Sequence, residues 1–148
     1  MNDFSDIEVL LVEDNRNDAE MTMRALDRAN FINKLYWVQD GVEALDFIRC
    51  SGPFATRDPQ QRLKLILLDL KMPRLSGLDV LRELKASALT RMIPVVVMSS
   101  SDQDNDVAES YRLGVNGYVT KPVQFSSFME SVAQIGMFWL MVNQAPVQ

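Results

Sequence analysis

Leu65-Ile66-Leu67-Leu68-Asp69 is a wholly aliphatic run that stops on a carboxylate. Four apolar residues in a row lack the alternation of a half-exposed strand, and they fit a strand covered on both faces. Gly77, Val80, Leu81 and Leu84 follow at i, i+3, i+4 and i+7, a helical stripe. The same strand-then-helix order recurs outward in both directions. Residues 7–12 are rich in branched side chains and end in Glu13-Asp14, ahead of a helical stretch at about 17–29 with Ala19, Met23 and Leu26 on one face. Leu35–Val38 reads as a second strand, and 41–50 as a short helix with Ala44, Leu45 and Ile48 inward. Residues 94–98 form a strand that breaks into Ser99-Ser100-Ser101. A helix with acidic first turns then ends before Gly114, and strand 115–119 runs into Lys121-Pro122. The last helix starts near Phe125 and extends to about Val142. Five strand–helix pairs predict an α/β chain: a doubly wound, five-stranded parallel sheet with helices on both faces.

Composition narrows the function. The 148 residues fit a single domain, with a core at about 7–140 and no output domain expected after it. The polar, proline-containing connection at 51–64 reads as a surface loop. With no histidine, the chain has no Ser-His-Asp or Cys-His site, no histidine-ligated zinc and no phosphodonor histidine. A net charge of -5 argues against nucleic-acid or anionic-membrane binding, both of which call for a basic patch. The single cysteine, Cys50, cannot close an internal disulfide, which suits a reducing compartment. No apolar run approaches the roughly 18 residues of a membrane span, and the first six residues are unlike the cationic start of a signal peptide. A cytoplasmic location is expected.

In open α/β sheets ligands bind beyond the carboxyl ends of the strands. Those ends carry Glu13 and Asp14, then Asp69, Ser99, and finally Thr120 and Lys121. Each alone has an ordinary structural use, and Asp14 would serve as a cap for the first helix. Together, three carboxylates on one edge repel one another unless a cation joins them. Hard oxygens without histidine or thiolate suit Mg²⁺. With a cation in place one carboxylate can attack phosphorus, while a lysine and a hydroxyl meet the phosphoryl oxygens. Asp69, on the central strand and flanked by the acidic pair, is the expected nucleophile.

These residues resemble the receiver domains of bacterial two-component response regulators. The resemblance spans about residues 7–140 through VLLVED, LILLDLKMP with Gly77 beyond it, PVVVMSS, GYVTKP and the terminal helix, in that order. It implies the (βα)5 flavodoxin-like receiver fold, with Asp69 as phosphoacceptor. It further implies that Glu13, Asp14 and Asp69, with the Lys71 backbone carbonyl, hold Mg²⁺. Lys121 and Ser99 would bind the phosphoryl group, Tyr118 would follow it as a rotamer switch, and the Lys121–Pro122 bond would be cis. The changed face would be the fourth helix, fifth strand and fifth helix. The chain would then be a regulator and not an enzyme, catalysing at most its own phosphorylation and dephosphorylation. Its partners would be a sensor histidine kinase and a downstream effector or phosphotransfer protein.

Glu13 and Ser99 stand where aspartate and threonine are more usual in that family, and Lys71 adds a cation two residues after Asp69. Its side chain either is merely solvated or alters the lifetime of the acyl phosphate. At the chain end, Met137, Phe138, Leu140, Met141 and Val142 surround the last helix with apolar side chains, so homodimerisation through Met137, Phe138, Leu140 and Met141 is expected. The Phe138-Trp139-Leu140 ending and the long 51–64 connection are most similar to small stand-alone receivers paired with bacterial phytochrome kinases. The alternative is a pseudo-receiver that acts by docking without phosphorylation, although such a module needs none of Glu13, Asp14, Asp69, Ser99 or Lys121.

Overall fold

The structure, a computed structural model, describes residues 4–100, 104–121 and 124–144. Five strands, β1 (Val9–Val12), β2 (Leu35–Val38), β3 (Leu65–Leu68), β4 (Val95–Ser99) and β5 (Gly117–Thr120), alternate with five helices. The helices are α1 (Arg16–Arg28), α2 (Gly41–Arg49), α3 (Gly77–Ala86), α4 (Asp104–Arg112) and α5 (Phe125–Met137). All strands are parallel, in the order β2-β1-β3-β4-β5.

The pleat sorts the apolar strand residues into two cores. Leu10, Val12, Ile66, Leu68, Val95 and Val97 face one side and are covered by α2 and α3 through Ala44, Leu45, Val80, Leu81 and Leu84. Val9, Leu11, Leu65, Leu67, Val96 and Met98 face the other side, under Ala19, Ala25 and Leu26 of α1 and Phe128 and Val132 of α5. Because β1 and β3 are fully buried on both faces, their sequences carry no polar alternation. Each such buried aliphatic side chain contributes about 1.5–3 kcal/mol.

Local chemistry sets the helix ends. The Asn15 side chain, not that of Asp14, caps α1 by accepting from the Asp18 N–H at 3.0 Å. Asp40 and Ser76 cap α2 and α3 in the same way. Gly114 takes φ +94° after α4, and the Val115 N–H then reaches back to the Ser110 carbonyl at 3.1 Å, a Schellman stop.

Two expectations need correction. The connection at 51–64 is not simply a surface loop, because Phe54, Arg57 and Leu63 are buried. Phe54 joins Phe4, Tyr36 and Phe47 in an aromatic cluster, and the Arg57 guanidinium lies 4.1 Å over the Phe47 ring. The terminal helix also does not continue as α to Val142. It widens into a π turn at Phe138–Val142, closed by the Asn143 N–H on the Phe138 carbonyl at 2.7 Å. The wider turn changes the angular phase and carries Leu140 into the core at 7% exposure, so Leu140 is not part of an exposed apolar face. The Lys121–Pro122 peptide bond and the Phe125 side chain lie outside the described residues.

Candidate functional site

The strand order turns back at β1, so the crevice opens beyond the carboxyl ends of β1 and β3. Register fixes what meets there. Val12 pairs with Leu68, which makes Glu13 and Asp69 the next residues on adjacent strands. The Asp69 N–H bonds the Val12 carbonyl at 3.0 Å, and the Glu13 N–H bonds the Val38 carbonyl at 3.1 Å. Glu13 is 3% exposed and Asp69 8%, whereas Asp14 is open to solvent. One carboxylate oxygen from each of Glu13, Asp14 and Asp69 lies within 4.8 Å of the others.

Lys121 is brought in by β4 and β5. Ser99 pairs with Thr120, and the Lys121 N–H bonds the Ser99 carbonyl at 2.7 Å. The Lys121 ammonium then sits 2.6 Å from Glu13 Oε1, 2.8 Å from Asp18 Oδ2 and 3.9 Å from Asp69 Oδ2. Ser99 is fully buried at the end of β4. Tyr118 is half-buried and packs against the core on the α2/α3 side. Lys71 is exposed, while its backbone N–H bonds the Asp69 carboxylate.

Electrostatics in this pocket are unbalanced. Burial pushes the Glu13 carboxyl up to about 8, helped by the charge and hydrogen bond of Asp69 and opposed by Lys121. Burial also raises Asp69, aided by the charge of Asp14, against the pull of the bond from Glu13, the Lys121 charge and the Lys71 N–H. Burial works against the charge on Lys121, but Asp18, Glu13 and Asp69 together outweigh it and hold the ammonium above its usual value. One lysine does not neutralise this many carboxylates. The surplus negative charge and the hard-oxygen donor set fit a small divalent cation at Glu13, Asp14 and Asp69.

The surrounding backbone keeps the pocket tight. A Cβ on Gly77 would lie 2.2 Å from the Asp69 carbonyl oxygen, so no side chain fits where α3 returns beneath the site. The loop between them is tied to α2 through Arg74, whose guanidinium meets Asp40 Oδ2 at 2.7 and 3.2 Å.

Sequence reasoning named Glu13, Asp14, Asp69, Ser99 and Lys121, and the structure gathers all five at the carboxyl edge of the sheet. It missed Asp18, the second anchor of Lys121, although Asp14 and Asp18 sit at i, i+4. It also missed Trp37, whose indole N–H donates to the Glu13 carbonyl at 2.7 Å; no pattern in the sequence marks that long-range bond.

Residues 9–133 match the model of the response regulator receiver domain. The chain belongs to that family. Among its receiver-domain relatives, the probable methanogenesis regulatory protein FilR2 of Methanothrix harundinacea is 38% identical over 138 residues, covering 93% of this chain and 86% of that protein. Response regulator Rcp1 of Synechocystis is 36% identical over 132 residues, covering 89% and 88% of the two chains. The Mn²⁺-bound structure of Rcp1 superposes with a TM-score of 0.85 at 34% identity, over 94% of this chain and 98% of that one. The phosphorylated cyanobacterial phytochrome response regulator RcpA gives a TM-score of 0.86 at 37% identity, over 94% and 97%. The doubly wound parallel sheet expected from the strand–helix alternation, and the receiver fold that the resemblance implied, are therefore the observed ones, and relatives of this domain include phytochrome response regulators. Among the described residues, no helix is long and apolar enough to cross a membrane.

Proposed function

We propose that this receiver domain accepts a phosphoryl group on Asp69 from a histidine of a sensor kinase, with Mg²⁺ held by Glu13, Asp14, Asp69 and the Lys71 backbone carbonyl. The carrying observation is the meeting of three carboxylate oxygens within 4.8 Å, next to a lysine 3.9 Å from Asp69. When bound, the cation neutralises charge on the carboxylates and the transferred oxygens. An Asp69 oxygen attacks phosphorus as the bond from phosphorus to the donor imidazole nitrogen breaks, and that nitrogen leaves with its electron pair. Lys121 and the Ser99 hydroxyl then bond the phosphoryl oxygens. Their shift toward Asp69 lets Tyr118 move inward and changes the α4–β5–α5 face, as a shift between two populated arrangements. The chain itself supplies no phosphodonor, since it lacks histidine.

The likeness to RcpA and Rcp1 supports a bacterial phytochrome kinase as the first partner to test, and a cytoplasmic setting in which the modified face docks on an effector or passes the group onward. Met137, Phe138, Met141 and Val142 are 46–67% exposed, and residues 131–142 carry no charge. An uncharged apolar face of this kind is complementary to a copy of itself, so the homodimer forms there, without Leu140. Light scattering of Phe138→Asp and Met141→Asp tests it, and a mass equal to that of the unmodified chain refutes it.

Incubation with Mg²⁺ and labelled acetyl phosphate tests the function. The intact chain takes up label and Asp69→Asn does not. Equal labelling of both removes Asp69 from the mechanism and favours the docking-only reading.

A further inference from the structure

Lys121 is held away from Asp69 by a residue to which neither the strand ends nor the family pattern gives a role. Its ammonium has three N–H donors. Two of them point to Glu13 at 2.6 Å and Asp18 at 2.8 Å, while Asp69 remains 3.9 Å away. The two holders are not equivalent. Glu13 is one of the three carboxylates whose oxygens lie within 4.8 Å of one another, so a cation held there would compete with the lysine for it. Asp18 lies outside that trio, on the first turn of α1. Its main chain is fixed on both sides: its N–H bonds Asn15 Oδ1 at 3.0 Å, and its carbonyl accepts from Thr22 Oγ1 at 2.8 Å. Its backbone is not free to follow the lysine toward the sheet. A phosphoryl group on Asp69 must therefore compete with Asp18 for one ammonium.

We propose that Asp18 is a positioning residue that restrains Lys121, weakening the hold of the site on a phosphoryl group and keeping the unphosphorylated arrangement populated. The proposal rests on the reading of Asp69 as the acceptor. The lysine and Asp18 side chains are 9% and 25% exposed, so solvent and salt screen this pair less than a surface pair. A charge that favours one of two arrangements lowers the apparent affinity of any ligand that needs the other.

Beryllofluoride, which occupies the position of a phosphoryl group on a carboxylate, supplies the probe. Its half-saturating concentration is measured by fluorine NMR at saturating Mg²⁺ for the wild-type chain, Asp18→Asn and Asp18→Glu. Asp18→Asn should bind about five-fold more tightly, as expected for loss of one partly buried competing charge. Asp18→Glu, which keeps the charge, should stay near wild type. Damage to α1 would weaken binding and cannot produce this tightening. Equal or weaker binding by Asp18→Asn overturns the restraint alone. Absence of binding by every chain overturns the acceptor reading and the restraint with it.

Discussion

Lys121 and Arg57 both lie inside this fold, and the protein surrounds them in opposite ways. Lys121, at the carboxyl edge of the sheet, faces Glu13, Asp18 and Asp69. Arg57, in the connection between α2 and β3, donates to the carbonyls of Phe47 and Gln61 and to Cys50 Sγ, and lies over the Phe47 ring. Its hydrogen-bond partners are all neutral, and its Nε has none. Neutral acceptors spread around a guanidinium fix it in one place and fasten the connection to α2. Surplus carboxylates around one ammonium leave it a choice of partners and leave the pocket short of positive charge. The first arrangement is structural support; on the proposed function, the second is where a cation and a phosphoryl group would be held.

The largest expected stability effect follows from that contrast. Arg57→Ala removes several hydrogen bonds, a cation–π contact and buried volume, and should cost about 2–4 kcal/mol in chemical denaturation. A cost below about 0.5 kcal/mol would show that the connection needs no such fastening. Asp69→Asn should have the opposite sign in metal-free buffer, raising stability by about 1 kcal/mol through relief of repulsion. The wild-type chain should gain thermal stability on adding Mg²⁺, and Asp69→Asn should lose most of that gain. If both chains respond equally to Mg²⁺, the cation binds elsewhere.

Glu8 sits between Lys34 and Lys64, each at 2.6 Å. Burial alone would raise its carboxyl, yet the two lysines hold it below the ordinary 4.5. A depressed carboxylate stabilises the fold above its unfolded value, and that stabilisation fades as pH falls through the folded one. Glu8→Gln should therefore lower the unfolding free energy slightly at neutral pH, by under about 1 kcal/mol since the lysines are part-exposed. The two stabilities should converge as pH falls through the depressed folded value; a gap that persists once Glu8 is protonated in both states would assign the effect to packing. Lys71→Ala should do least of all. The Lys71 side chain is exposed, and only its main chain is expected at the site, so dephosphorylation rates of the variant and wild type should match.

The parts of this molecule that were legible in the sequence are those governed by local pattern. Continuous aliphatic runs marked β1, β3 and β4, and helical stripes marked the faces of α2 and α3. The rule that ligands sit beyond strand ends then brought Glu13, Asp14, Asp69, Ser99 and Lys121 together without any coordinates. What escaped depends on long-range partners or on one-residue changes of phase. Arg57 and Phe54 look like polar-loop punctuation until the aromatic cluster around Phe47 is seen. Leu140 fits an exposed stripe on an ideal helix, but one wide turn rotates it inward. Asp18 reads as an ordinary first-turn acid, favourable at a helix N-terminus, and its bond to a lysine more than a hundred positions later has no local signature.

On the proposed function, the Asp69 carboxylate itself becomes the acyl phosphate. Borohydride reduction of the chain after treatment with acetyl phosphate and Mg²⁺, followed by peptide mass mapping, reads it most directly, because reduction converts a phosphorylated aspartate into homoserine. Homoserine at position 69, and its absence when Mg²⁺ is withheld, is the expected result. Homoserine at position 14 or 18 with an unmodified Asp69, or no conversion anywhere in the chain, would contradict it.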